Sequence, residues 1–162
     1  VVTKGSSVEF IDYQGEDKAG RTFTLQSVDH ERVLALDYAE EERLFGILMA
    51  NRNLCFVEDG EMQKNLGVIR SSGAEVDIRY LPIHRLWALE SSDSTLHLFP
   101  SPKGAVIQTQ LLFRPHHQPL TALREIASPA TLCTSSLDGT IRLWQAGGRL
   151  LIELSAKRER GG

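Results

Sequence analysis

The sequence predicts an all-β protein made of repeated antiparallel sheets, and three observations carry that prediction. The first is residues 119–145, PLTALREIASPATLCTSSLDGTIRLWQ, where Asp138-Gly139 separates an apolar run ending at Leu137 from Thr140–Trp144. Asp-Gly between two such runs is a strong hairpin signal, because both residues tolerate the positive φ of twist-matched two-residue turns. The second is a repeat of this stretch. Thr140–Trp144 (TIRLW) matches Thr95–Phe99 (TLHLF) 45 residues earlier, then Asn53–Val57 (NLCFV) 42 earlier, then Ser7–Ile11 (SVEFI) 46 earlier. Asp138 falls on Asp93, Asn51 and Gly5, all turn formers at one point of the unit. The third is the succession of short apolar or alternating runs between turn residues, which is the strand pattern.

Taken in order, residues 7–12 read as the third strand of a unit that has lost its beginning. Asp12–Gly20 is a polar loop, and Arg21–Leu25 alternates as a half-exposed outer strand should. Val33–Tyr38 is the next inner strand and Ala39–Arg43 (AEEER) a charged turn. Leu44–Met49 is a continuous apolar run, expected to be buried on both faces. Local propensity over Leu34–Met49 also permits a helix; the repeat register decides for strands. Asn53–Val57 closes that hairpin, Asp59-Gly60 turns into an outer strand near Met62–Ile69, and Arg70–Ala74 is loop. Val76, Ile78 and Tyr80 alternate with Asp77 and Arg79 as a half-exposed strand. Leu86–Leu89 and Thr95–Phe99 form a hairpin across Ser91–Ser94, ended by Pro100 and Pro102, since proline cannot serve a central ladder. Ala105–Phe113 is the outer strand. Leu120–Ile126, Leu132–Ser135, Thr140–Trp144 and Leu150–Leu154 complete the last unit, and 156–162 (AKRERGG) is a polar tail or linker.

A unit of 42–46 residues with this pattern resembles the WD-repeat family, whose repeat forms a four-stranded blade of a β-propeller. The resemblance is strongest in the last unit and covers 7–26 in part, then 33–69, 75–113 and 119–155. It implies three complete blades plus two strands of another. The signature dipeptide is Trp144-Gln145, so the usual Asp after Trp is missing. Propellers close with about four to eight blades, and each blade buries its faces against two neighbours. Three and a half blades would leave bare apolar faces at both ends. The expectation is a longer chain, with blades from another molecule as the alternative.

His116 or His117, Thr134 and Asp138 have the parts of a nucleophilic triad. The resemblance implies a different role: His116, Thr134, Asp138 and Trp144 would form the family's structural hydrogen-bond network, with His116 preferred over His117 by its spacing. Such a network satisfies buried polar groups and fixes the turn. In the other units it is eroded: Leu89 and Phe99 stand at the matching positions around Asp93, and Ile47 and Val57 around Asn51.

Composition narrows the function classes. The 162 residues are 41% hydrophobic and 24% charged, ordinary for one soluble domain. A net charge of −3 provides no basic field for nucleic acid. Cys55 and Cys133 lie in matching strands of non-neighbouring units and are expected to be small buried residues rather than a disulfide, favouring a reducing, intracellular and cytoplasmic setting. No run is long and apolar enough to span a bilayer. Five histidines lack zinc-ligand spacing, Gly147-Gly148 is not a phosphate loop, and no catalytic, cofactor or metal site is expected.

Glu40–Glu42 reads as a solvated turn. Arg70, Arg114 and His117 lie in loops joining successive units, expected at the opposite end from the Asp138-type turns, and are the candidate partner contacts. The expected function is a non-catalytic scaffold binding other proteins in a larger assembly, of the cytoskeletal, ciliary or RNA-processing kind the family serves, with no small-molecule substrate. The alternative is a module reading a short linear or modified peptide at a propeller face. Fold alone does not decide between them.

Overall fold

Turn residues at regular spacing divide the chain into short strands, and each group of strands folds back on itself as a meander. In the computed structural model, residues 2–4, 7–10, 21–24, 32–58, 61–68, 74–102, 111–145 and 147–155 are described, with backbone only for 2–4, 7–10, 21–24 and 61–68. The chain forms two compact units, Val1–Arg70 with Val76–Arg79, and Ser71–Glu75 with Tyr80–Gly162.

The first unit begins with a three-stranded sheet of β1 (Val2–Lys4), β2 (Ser7–Phe10) and β3 (Arg21–Thr24), in that order. The expected two strands are therefore three. The β-branched start of the chain supplies an extra one, with Val2 opposite Glu9 and Lys4 opposite Ser7. Next come β4 (Val33–Ala39), β5 (Leu44–Met49), β6 (Asn53–Glu58) and β7 (Glu61–Val68), a four-stranded antiparallel meander. The helix that propensity allowed over Leu34–Met49 is absent there. A single 3-10 turn, Glu40–Glu42, joins β4 to β5 and ends on Arg43 at φ 53°. Ile47, Leu48 and Met49 are buried, as the apolar run of β5 requires. Ile47, Met49, Cys55 and Val57 form one packed cluster with Val33, Leu36 and Phe45 against it.

The third sheet has the order β11 (Leu111–Phe113), β10 (Leu96–Pro100), β9 (Leu86–Ser91), β8 (Glu75–Leu81), and the fourth β12 (Leu120–Ile126), β13 (Thr131–Ser136), β14 (Thr140–Trp144), β15 (Leu150–Ser155). In β8 the expected alternation fails at its start: Val76 is exposed and Glu75 is buried, whereas Ile78 and Tyr80 are buried as read. Glu75 and Leu81 lie on one face of β8 and Ile78 and Tyr80 on the other, so the strand buries residues on both faces. The reading of Ala105–Phe113 as one strand is described only over Leu111–Phe113; Asp12–Gly20, Asp59-Gly60 and the tail from residue 156 lie outside the described residues.

Within the second unit the third and fourth sheets pack face to face. Leu81, Leu86, Ala88, Leu96 and Leu98 meet Leu123, Leu132 and Trp144 in one core, with Leu111, Phe113 and Leu120 at its margin. Phe113 meets Trp144 edge-on with ring centroids 5.3 Å apart, the arrangement that aromatic quadrupoles favour. On the other side of the fourth sheet, Ile141, Ile152 and Leu154 are exposed. Cross-strand partners share a face, and Ile141 pairs with Leu154 and Leu143 with Ile152. The fourth sheet thus has one covered apolar face and one open one.

Candidate functional site

Three turns share one construction. Asn51, Asp93 and Asp138 each accept, through Oδ1, the backbone N–H two residues on: Asn53 at 2.9 Å, Thr95 at 3.1 Å and Thr140 at 2.9 Å. The next residue is left-handed in every case, Arg52 at φ 69°, Ser94 at 68° and Gly139 at 80°. Each donates to the carbonyl three back, on Met49, Ser91 and Ser136. Asn and Asp suit this position because the short side chain closes the turn by itself. The turns are also pinned alike to the residue before each sheet's first strand. Ala50 N–H donates to Arg32, Ser92 to Ala74 and Leu137 to Pro119, at 2.8, 2.7 and 3.1 Å.

These pins correct the expected placement of the connecting loops. The residue leading into each of these three sheets lies at the same end as its Asx turn, not the opposite one. The reason is parity: four antiparallel strands bring the chain back to the end at which the second strand finished.

In the fourth sheet the turn joins a buried polar chain. Trp144 Nε1–H donates to Thr134 Oγ1 at 2.8 Å, and Thr134 Oγ1 lies 2.7 Å from His116 Nε2. His116 Nδ1 lies 3.0 Å from Asp138 Oδ2. One tautomer satisfies every atom: Thr134 O–H donates to Nε2, and Nδ1–H donates to the carboxylate. Thr140 adds its hydroxyl to Asp138 Oδ1 at 2.6 Å and also lies 3.0 Å from His116 Nδ1. Burial pushes the Asp138 carboxyl upward, but the Thr140 hydroxyl and N–H and then His116 outweigh it and hold the group well below the usual carboxylate range. His116 and Thr134 are buried, and the Thr134 hydroxyl is engaged on both sides. Geometrically the group orders a turn; its hydroxyl faces no open cleft.

Of the residues singled out in the sequence, His116, Thr134, Asp138 and Trp144 come together, while Arg114 and His117 are exposed nearby in the loop. Arg70 lies outside the described residues. Around Asp93, Leu89 and Phe99 are buried apolar residues, as are Ile47 and Val57 around Asn51. Cys55 and Cys133 are free thiols. Burial pushes the Cys55 thiol up, whereas Cys133 is only half-buried rather than buried as expected. Among the described residues no group of His, Cys, Asp and Glu could hold a metal ion, and no helix is long and apolar enough to cross a membrane.

Several polar residues were not singled out beforehand. Thr140 is one, two places after Asp138. The Gln118 carbonyl is another: it accepts the Ser136 hydroxyl at 2.9 Å and also that of Ser94, linking the third sheet's turn to the fourth sheet's leading loop. A further polar contact joins the third and fourth sheets at the β8–β9 turn. Glu125 on β12 accepts Ile83 N–H and His84 N–H, both at 3.1 Å, and lies 2.5 Å from His84 Nδ1. Both side chains are almost fully buried, 8% and 7% exposed. The two residues are 41 apart in sequence, and no local pattern marks them as partners.

No family model matches the chain, and no curated protein matches it.

Proposed function

We propose that this chain is a segment of a WD-type β-propeller that serves as a non-catalytic scaffold, holding other proteins in a larger assembly. The observation that carries this reading is the common turn of three successive four-stranded meanders, at the spacing found in the sequence. Chains of stacked, similar units present extended surfaces to partners. The polar residues that resemble a catalytic set are consumed in fixing one turn. The contacts assigned to partners are Arg114 and His117, exposed on a loop that the buried His116 and the Gln118 carbonyl anchor. Loops held by a rigid scaffold are the usual seat of recognition. The reading includes an intracellular, cytoplasmic setting, supported by two free cysteines.

The test is cross-linking and affinity capture of the full-length protein from its source, in parallel with the Arg114→Ala/His117→Ala variant. The reading predicts a small set of proteins in fixed stoichiometry, with at least one lost from the variant. Full-length protein that cross-links to nothing and captures nothing in fixed ratio overturns it.

A further inference from the structure

His97 is the odd residue of the third sheet. It sits in the middle of β10, 3% exposed, between Leu89 of β9 and Leu112 of β11. Among the described residues neither of its ring nitrogens has a hydrogen-bond partner, nor has the nearby buried Ser91 hydroxyl. The corresponding residue of the fourth sheet is Arg142. That cation is satisfied, with Glu153 at 2.8 Å and the Pro115 carbonyl. A buried imidazole without partners is costly when neutral and costlier when charged.

We propose that His97 makes the third sheet acid-sensitive: the sheet is held firmly while the imidazole is neutral and loosens when acidification places a proton on it. Two carboxylates oppose the change. Glu75, at the start of β8 and buried, and Asp93, in the β9–β10 turn, both favour the protonated form. Burial wins over both, and holds the imidazole below its ordinary value. Leu89 and Leu112, the flanking register partners, bring no charge. The sign follows from linkage. A histidine whose folded value is depressed contributes full stability above its unfolded value, about 6.5. That stability declines as the pH falls below it, because the unfolded chain takes up the proton first. Histidine is the side chain suited to such a response near neutral pH.

The experiment is thermal unfolding of the full chain across pH about 7.5 to about 5, wild type against His97→Leu. The wild type is expected to lose several degrees more than the variant over that range, and the variant to melt higher at the acid end. His30, His84, His116 and His117 are present in both proteins, so the difference isolates His97. An NMR titration of the wild-type imidazoles provides the second reading should His97→Leu not fold. His97 is expected to titrate below the ordinary histidine value of about 6.5. A variant with the same acid loss as wild type, or a His97 titrating at or above that ordinary value, overturns the proposal.

Discussion

Asp138→Ala is the perturbation that separates a polar network from a simple turn. Asp138 accepts three donors: Thr140 N–H, the Thr140 hydroxyl and His116 Nδ1–H, at 2.9, 2.6 and 3.0 Å. Hydrogen bonds to a charged group contribute about 1.5–3 kcal/mol each, and a buried donor left alone costs about 1–3 kcal/mol. His116 is the donor that matters most, because its side chain is completely buried. The Thr140 donors are nearer to solvent and recover part of their loss in water. The net cost is about 3 kcal/mol, or roughly 10 °C of melting temperature for a chain of this size. Asp93 closes the equivalent turn through Thr95 N–H at 3.1 Å, but Leu89 and Phe99 occupy the places of Thr134 and Trp144. Asp93→Ala should therefore cost about 1 kcal/mol, the loss of one Asx closure. The assay is urea unfolding of both variants in the full chain, monitored by Trp fluorescence. Equal midpoints for the two variants would refute the network assignment.

Four further outcomes follow from the same geometry. Glu125→Ala should destabilise by about 2–4 kcal/mol in urea unfolding, because it strips two backbone N–H groups and the His84 imidazole of one buried acceptor; a loss under about 0.5 kcal/mol would mean that this carboxylate does not join the sheets. Gly139→Ala should cost about 1 kcal/mol by calorimetry, purely from backbone strain, since φ is +80° and an added Cβ meets nothing within 4 Å. Asp138, held low by its donors, stabilises the fold above its unfolded value of about 4 and loses that contribution as the pH falls; Asp138→Asn should flatten the acid limb of the stability profile, and an unchanged limb counts against the assignment. Leu154→Lys, on the open face of β15 and 57% exposed, should shift stability by less than about 0.5 kcal/mol; a loss above about 2 kcal/mol would show that something covers that face.

The strand plan was legible because its signals are local. Apolar runs such as Leu44–Met49 and the Asn51, Asp93 and Asp138 turns announce themselves within a few residues. The repeat register then overruled a helical propensity at 34–49 that local reading could not dismiss. The His116, Thr134, Asp138 and Trp144 group was legible only through its resemblance to a known repeat. What the sequence hid was contact between units of the repeat. Glu125 and His84 meet across two sheets, so neither residue's neighbours in sequence reveal the pair. Glu75 lies buried where alternation places it in solvent, because β8 buries residues on both faces, Glu75 with Leu81 on one and Ile78 with Tyr80 on the other. The end at which the chain enters each four-stranded meander follows from parity alone, since the fourth strand finishes where the second does, and the loop at 114–119 accordingly lies beside the Asp138 turn.

Native mass spectrometry of the full-length protein purified from its source tests the scaffold reading most directly. The account predicts a discrete complex heavier than the full-length polypeptide, containing other proteins in fixed stoichiometry. A lone monomer, unchanged at low ionic strength and bound to no other protein, would contradict it.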